Sequence, residues 1–113
     1  MLAIEIPPSR GDVLKLTGEL DFHTSSRLHC VLRTKLSEEH PELVLDCSDL
    51  CYIDSRGIAA LLEYSRDARE FDGRIILSDV KPPLKDVLEI LHLKDYLPMI
   101  SSSVATRHNT GNS

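Results

Sequence analysis

The feature that most constrains this chain is the helical repeat from Gly57 to Phe71. It places Ile58, Leu61, Leu62, Ser65, Ala68 and Phe71 along one face, with Glu63, Arg66, Asp67, Arg69 and Glu70 mostly on the other. Upstream stands "ELVLDC" at 42–47, a continuous apolar run of the kind shown by a strand buried on both faces. Downstream, Asp72-Gly73 supplies a helix stop and "RIILS" at 74–78 reads as another buried strand. Strand, helix, strand in that order predicts parallel pairing, because parallel strands need a crossover between them.

The flanking segments extend the pattern. "LAIEI" at 2–6 alternates apolar with polar and ends at Pro7-Pro8, and "VLKLTGEL" at 13–20 sets Leu14, Leu16 and Leu20 on one face. These two strands are expected to pair as a hairpin. Leu28, Val31, Leu32 and Leu36 then recur at helical spacing, with Thr24 or Ser25 as the expected cap and an end near Ser37. A third helix is expected to start at Pro82 or Pro83 and to run through Leu84, Val87, Leu88 and Leu91 to about His92. "YLPMI" at 96–100 reads as a short strand or packed coil, since Pro98 disfavours a strand. The predicted order is β-β-α-β-α-β-α: an α/β fold with a small mixed sheet packed with amphipathic helices, over residues 1–100. Residues 101–113, "SSSVATRHNTGNS", are expected to form a flexible Ser/Thr-rich tail. A site belongs at the carboxyl ends of the parallel strands.

With 113 residues the chain is long enough for one domain with a sizeable core. Aromatic residues make up only 4% and Trp is absent, so that core is expected to be aliphatic. A net charge of -5 with no concentrated Lys/Arg patch argues against nucleic acid as a partner. No apolar run is long enough for membrane insertion and no signal-like leader opens the sequence, which reads as cytoplasmic. Three cysteines, Cys30, Cys47 and Cys51, are too few for a disulfide scaffold and are expected to be reduced and buried. Cys47 and Cys51 lack a second pair at metal-ligand spacing, and no metal or cofactor is expected.

The chemistry-bearing stretch is Asp54-Ser55-Arg56-Gly57, set between a strand and the main helix. Ser55 is placed to cap that helix with its hydroxyl. The same place, near the positive end of the helix dipole, would accommodate a phosphate, and Gly57 would let a partner backbone approach. A nucleophilic Ser is disfavoured, because Ile53 stands where a nucleophile elbow needs Gly. An aspartyl-phosphate receiver is disfavoured too, since Glu19 and Asp21 are split by Leu20 where an acidic pair is needed. Among the five glycines no nucleotide-binding loop occurs. If a phosphate arrives, another protein brings it.

Three segments in order, "LTGELD" at 16–21, "LVLDCSDLCYIDSRGIAALL" at 43–62 and "GRIILSDVKPPLKDVLEILHL" at 73–93, resemble the STAS domain of bacterial anti-sigma factor antagonists. The resemblance spans about residues 2–100. It implies a non-enzymatic switch protein whose Ser55 is phosphorylated by its partner, an anti-sigma factor that is a Ser kinase of the GHKL ATPase class. Unphosphorylated, such a protein binds the anti-sigma factor and frees the sigma factor; phosphorylation ends the binding and a Ser phosphatase restores it. The implied partner face comprises Asp21, His23, Thr24, Asp54, Ser55, Arg56 and Gly57. Arg56 departs from the pattern, where Ser or Thr is usual. An alternative within the same fold is a STAS subunit that regulates an ABC transporter ATPase in lipid transport through the face of the main helix. A third is an interaction module in which Ser55 is only a cap.

Overall fold

A computed structural model describes residues 1–8 and 11–101. Its elements are β1 (Leu2–Glu5), β2 (Val13–Leu20), α1 (Ser25–Ser37), β3 (Glu42–Ile53), α2 (Ser55–Ala68) with a 3-10 turn at Arg69–Phe71, β4 (Arg74–Ser78), α3 (Pro82–Ile90) and β5 (Met99–Ile100). The expected order of strands and helices is present, and "YLPMI" does contribute a strand, of two residues.

The five strands form one mixed sheet in the order β1-β2-β3-β4-β5. β1 and β2 are the expected antiparallel hairpin, with Leu2 opposite Gly18. Every other pairing is parallel. The core is aliphatic: Leu14, Leu16, Leu20, Leu28, Leu43, Leu45, Leu61, Ile75, Leu77 and Leu97 are all fully buried, joined by Leu84 and Leu88 of α3. Burying one such side chain is worth roughly 1.5–3 kcal/mol, so the leucine pattern dominates the driving force for folding.

β3 is twice as long as its apolar run suggested. The polar residues Ser48 and Asp49 interrupt the run without ending the strand, because two register shifts against β2 absorb extra residues. Lys15 pairs with Asp46, but Thr17 pairs with Asp49; the buried set accordingly moves from Leu43, Leu45 and Cys47 to Leu50. The Asp46 carboxylate accepts from the backbone N and the hydroxyl of Ser48 at 3.0 and 2.7 Å, satisfying the first irregularity locally. Cys51 falls in the second shift, between Leu50 and Tyr52, and is exposed. The expectation of three buried thiols therefore fails for Cys51 and for Cys30, which lies on the outer side of α1. Cys47 is buried; burial first, then the charges of Asp46 and Asp79, pushes its thiol up to about 12.

α2 buries Gly57, Ala60, Leu61, Tyr64, Ser65 and Ala68. Tyr64 belongs to this face although its polar tip obscured it, and the Ser65 hydroxyl donates to the Tyr96 carbonyl at 2.8 Å. At the helix stop it is Asp72, not Gly73, that turns left-handed with φ 60°. Pro82 and Pro83 occupy the first turn of α3 as expected, while the helix ends at Ile90, two residues short of His92. The expected tail lies outside the described residues apart from Ser101.

Candidate functional site

β2 and β3 run parallel and end side by side, which brings the loop Asp21–Thr24 against the start of α2. The Asp54 backbone N donates to the Leu20 carbonyl at 3.1 Å, closing the strand pair at this end. The Asp54 carboxylate then ties three segments together. One oxygen accepts from the backbone N of Arg56 at 3.0 Å and of Gly57 at 3.2 Å; the other accepts from the backbone N of Phe22 at 2.9 Å.

Asp54 is therefore the cap of α2, which corrects the expectation that Ser55 fills that role. The carboxylate one residue earlier has the reach and the extended backbone that a cap needs, φ -117° and ψ -174°, so Ser55 becomes the first helical residue. Its side chain is exposed and its hydroxyl makes no hydrogen bond among the described residues.

The neighbouring loop is self-braced. One Asp21 oxygen accepts from the backbone N of His23 at 2.9 Å and of Thr24 at 3.1 Å. Burial tends to raise the Asp21 carboxyl, but these N–H bonds outweigh it and hold the group below its ordinary value. The buried Thr24 hydroxyl accepts from Asp21 N at 2.9 Å and donates to the Glu19 carbonyl at 2.8 Å. Thr24 occupies the cap position of α1 without making a side-chain cap bond, and Ser25 is already helical. The expected side-chain cap of α1 is absent because Thr24 is engaged in holding the strand end.

Gly57 is buried. A Cβ there would stand 2.7 Å from Leu20 Cγ and 2.9 Å from the Leu20 carbonyl oxygen. The close approach it permits is that of α2 to β2, inside the fold, not that of a partner backbone as the sequence suggested. The exposed rim consists of Ser55, Arg56, His23 and Phe22. Phe22 was not among the expected site residues, although it is 59% exposed, and the signal was there in "DFH": an aromatic between polar residues just after a strand. The Arg56 guanidinium lies over its ring at 4.6 Å from the centroid, and the His23 ring meets it edge-on at 5.5 Å.

The structure thus gathers all seven expected residues at one end of the sheet, with Asp21, Thr24, Asp54 and Gly57 shaping the site and Ser55, Arg56 and His23 on its surface. Among the described residues no group of three or more His, Cys, Asp or Glu side chains could hold a metal ion, and no helix is long and apolar enough to cross a membrane.

Comparison with known proteins agrees with this architecture. The chain is 29% identical over 105 residues to an anti-sigma F factor antagonist of Paenibacillus polymyxa, covering 91% of this chain and 90% of that protein. The solved structure of the anti-sigma factor antagonist SpoIIAA in its unphosphorylated form superposes with a TM-score of 0.65 at 18% identity, over 98% of this chain and 99% of that one. The phosphorylated form of the Bacillus cell fate determinant SpoIIAA gives 0.66 at 19% identity, over 96% and 98%. Those likenesses fix the fold. The family model of the STAS domain matches residues 3–106, the sheet, its helices and the Asp54-Ser55 turn together, and the chain belongs to the STAS domain family.

Proposed function

We propose that this protein is an anti-sigma factor antagonist that works by partner switching. The observation that carries the reading is Ser55: an exposed hydroxyl with no hydrogen bond among the described residues, on the first turn of α2, while the residues around it are locked by Asp54 and Asp21. A relative named as an anti-sigma factor antagonist, similar along nearly the whole chain, supports it.

On this reading the protein performs no catalysis. Its partner, an anti-sigma factor of the GHKL Ser kinase type, transfers the terminal phosphoryl group of ATP to the Ser55 oxygen. ADP leaves, and the hydroxyl proton is lost. A Ser phosphatase hydrolyses the ester and restores the binding form, and all of this takes place in the cytoplasm. The rim of Ser55, Arg56, His23 and Phe22 forms the contact, while Asp21, Thr24, Asp54 and Gly57 set its shape.

Phosphorylation adds about -1.5 to -2 charges beside the Asp54 carboxylate. Two of the first-turn N–H groups that could hold a phosphate are already taken: Asp54 holds those of Arg56 and Gly57. A phosphate there adds its charge beside the Asp54 carboxylate and its bulk to the contact surface. About 3–4 kcal/mol of lost complementarity weakens a complex a few hundred-fold.

The test is incubation with the cognate kinase and ATP. Wild type is expected to gain one phosphate, at Ser55, and Ser55→Ala none; Ser55→Asp is expected to bind the anti-sigma factor about 100-fold more weakly. Wild type that stays unmodified, or Ser55→Asp that binds as tightly as wild type, would sink the reading.

A further inference from the structure

Arg56 stands out among the described arginines. Arg33, Arg66 and Arg74 are ion-paired, and Arg27 donates to the Leu2 carbonyl. Arg69 stacks on Tyr96 at 4.5 Å but also donates to the Asp95 carbonyl at 3.1 Å. The Arg56 guanidinium, among the described residues, has neither an ion pair nor a hydrogen bond; it lies over the face of Phe22. It lies one residue from an exposed hydroxyl, and the two aspartates of this end are already engaged, Asp54 with three backbone N–H groups and Asp21 with two.

We infer that Arg56 is the internal receptor for a phosphate on Ser55: resting on Phe22 in the unmodified chain, it moves to the phosphate when Ser55 is modified and leaves the Phe22 ring uncovered. An exposed cation–π contact is weak, whereas a guanidinium paired with a phosphate makes charge-assisted, two-pronged hydrogen bonds. The exchange therefore runs toward the phosphate. Part of the new charge is neutralised within the chain, and the mark is transmitted to a second place on the rim, Phe22, which loses the cation that covered it. Lys would supply charge but not the planar stack, so the device depends on Arg.

The inference rests on the proposed function for its biological setting but can be tested apart from it. Phosphoserine is introduced at position 55 of the full chain during translation, without any kinase, and the phosphate is titrated by phosphorus NMR in the wild-type, Arg56→Gln and Phe22→Leu backgrounds. A cation at the phosphate favours the dianion, so wild type is expected to titrate about 0.5 unit or more below Arg56→Gln. Phe22→Leu is expected to titrate at or below wild type, since nothing then holds Arg56 back. The Phe22 ring protons are expected to shift between unmodified and phosphorylated wild type, and to shift less when Arg56 is Gln. Coincident phosphate titrations in wild type and Arg56→Gln, or a Phe22 ring indifferent to the phosphate, overturn the inference. A Ser55 that its kinase never modifies overturns the functional reading instead and leaves the titration result standing.

Discussion

At the end of the sheet where β2 and β3 finish, Asp21 and Asp54 give their oxygens to backbone N–H groups, and neither forms an ion pair among the described residues. At the end where β3 begins, Glu38 is paired with the Lys35 ammonium at 3.2 Å and with His40 at 2.8 Å. Lys35 itself is buried and also donates to the Gly11 carbonyl at 2.7 Å, tying the β1–β2 turn to the end of α1. One end is closed by matched charges. The other is held by side-chain-to-backbone bonds and leaves Ser55, Arg56, His23 and Phe22 exposed, the kind of surface on which complementary contacts can form.

The comparison breaks first at Gly57. Replacement by Val puts carbon where the Leu20 backbone carbonyl allows none, and the expected cost is about 1–3 kcal/mol, read as a lower urea midpoint with faster amide exchange at Phe22. A stable Gly57→Val protein with an unchanged Phe22 amide would show that the two loops are not held by this close packing.

Next in size is Asp54→Ala, which removes the cap of α2 and the acceptor for the Phe22 amide. About 1–2 kcal/mol is expected to be lost in denaturation, with the Phe22 amide exposed to exchange even where the protein stays folded. Loss of stability without faster exchange at Phe22 would reduce Asp54 to an ordinary cap.

The smallest effect sharpens the contrast between the ends. The hydrogen bond from His40, then that from Lys35, holds Glu38 below its ordinary value of 4.5, and backbone N–H bonds hold Asp21 below 3.8. Both carboxyls are depressed in the folded state, so both stabilise the fold above those values and lose that contribution as acid protonates the folded form. Salt screens the Lys35 pair of Glu38 but not the N–H bonds of Asp21. Urea midpoints followed from about pH 6 to about pH 3 are therefore expected to show a salt-sensitive part removed by Glu38→Gln and a salt-insensitive part removed by Asp21→Asn. Equal salt sensitivity at the two positions would erase the distinction.

Much of the fold was legible because leucine spacing reports burial directly: the hairpin, the three helices and β4 all lie where periodicity placed them. What periodicity could not show was β3 beyond Cys47, since a register shift changes which parity faces inward and leaves no mark in composition. The same blindness misplaced Cys51. At the site, the seven expected residues lie together, but the structural parts expected of Ser55 and Gly57 differ from those they take. Ser55 and Asp54 are both good caps by type, and only the extended backbone at Asp54 decides between them. Gly57 advertises open space in a sequence, whereas here Leu20 fills it. Phe22 escaped notice because a single exposed aromatic carries no period at all; its meaning comes from Arg56, 34 positions away in sequence and directly above it in space.

The bond from the Phe22 amide to Asp54 spans 32 positions. The surface around Ser55 therefore does not exist in any short fragment of this chain: a peptide that carries Asp54, Ser55 and Arg56 lacks the loop that Asp54 holds. An enzyme that recognises Ser55 through this surface inspects folding before it acts, and a nascent or damaged copy with β2 and β3 unpaired is passed over. On the proposed function, only molecules folded well enough to answer the switch are counted by it.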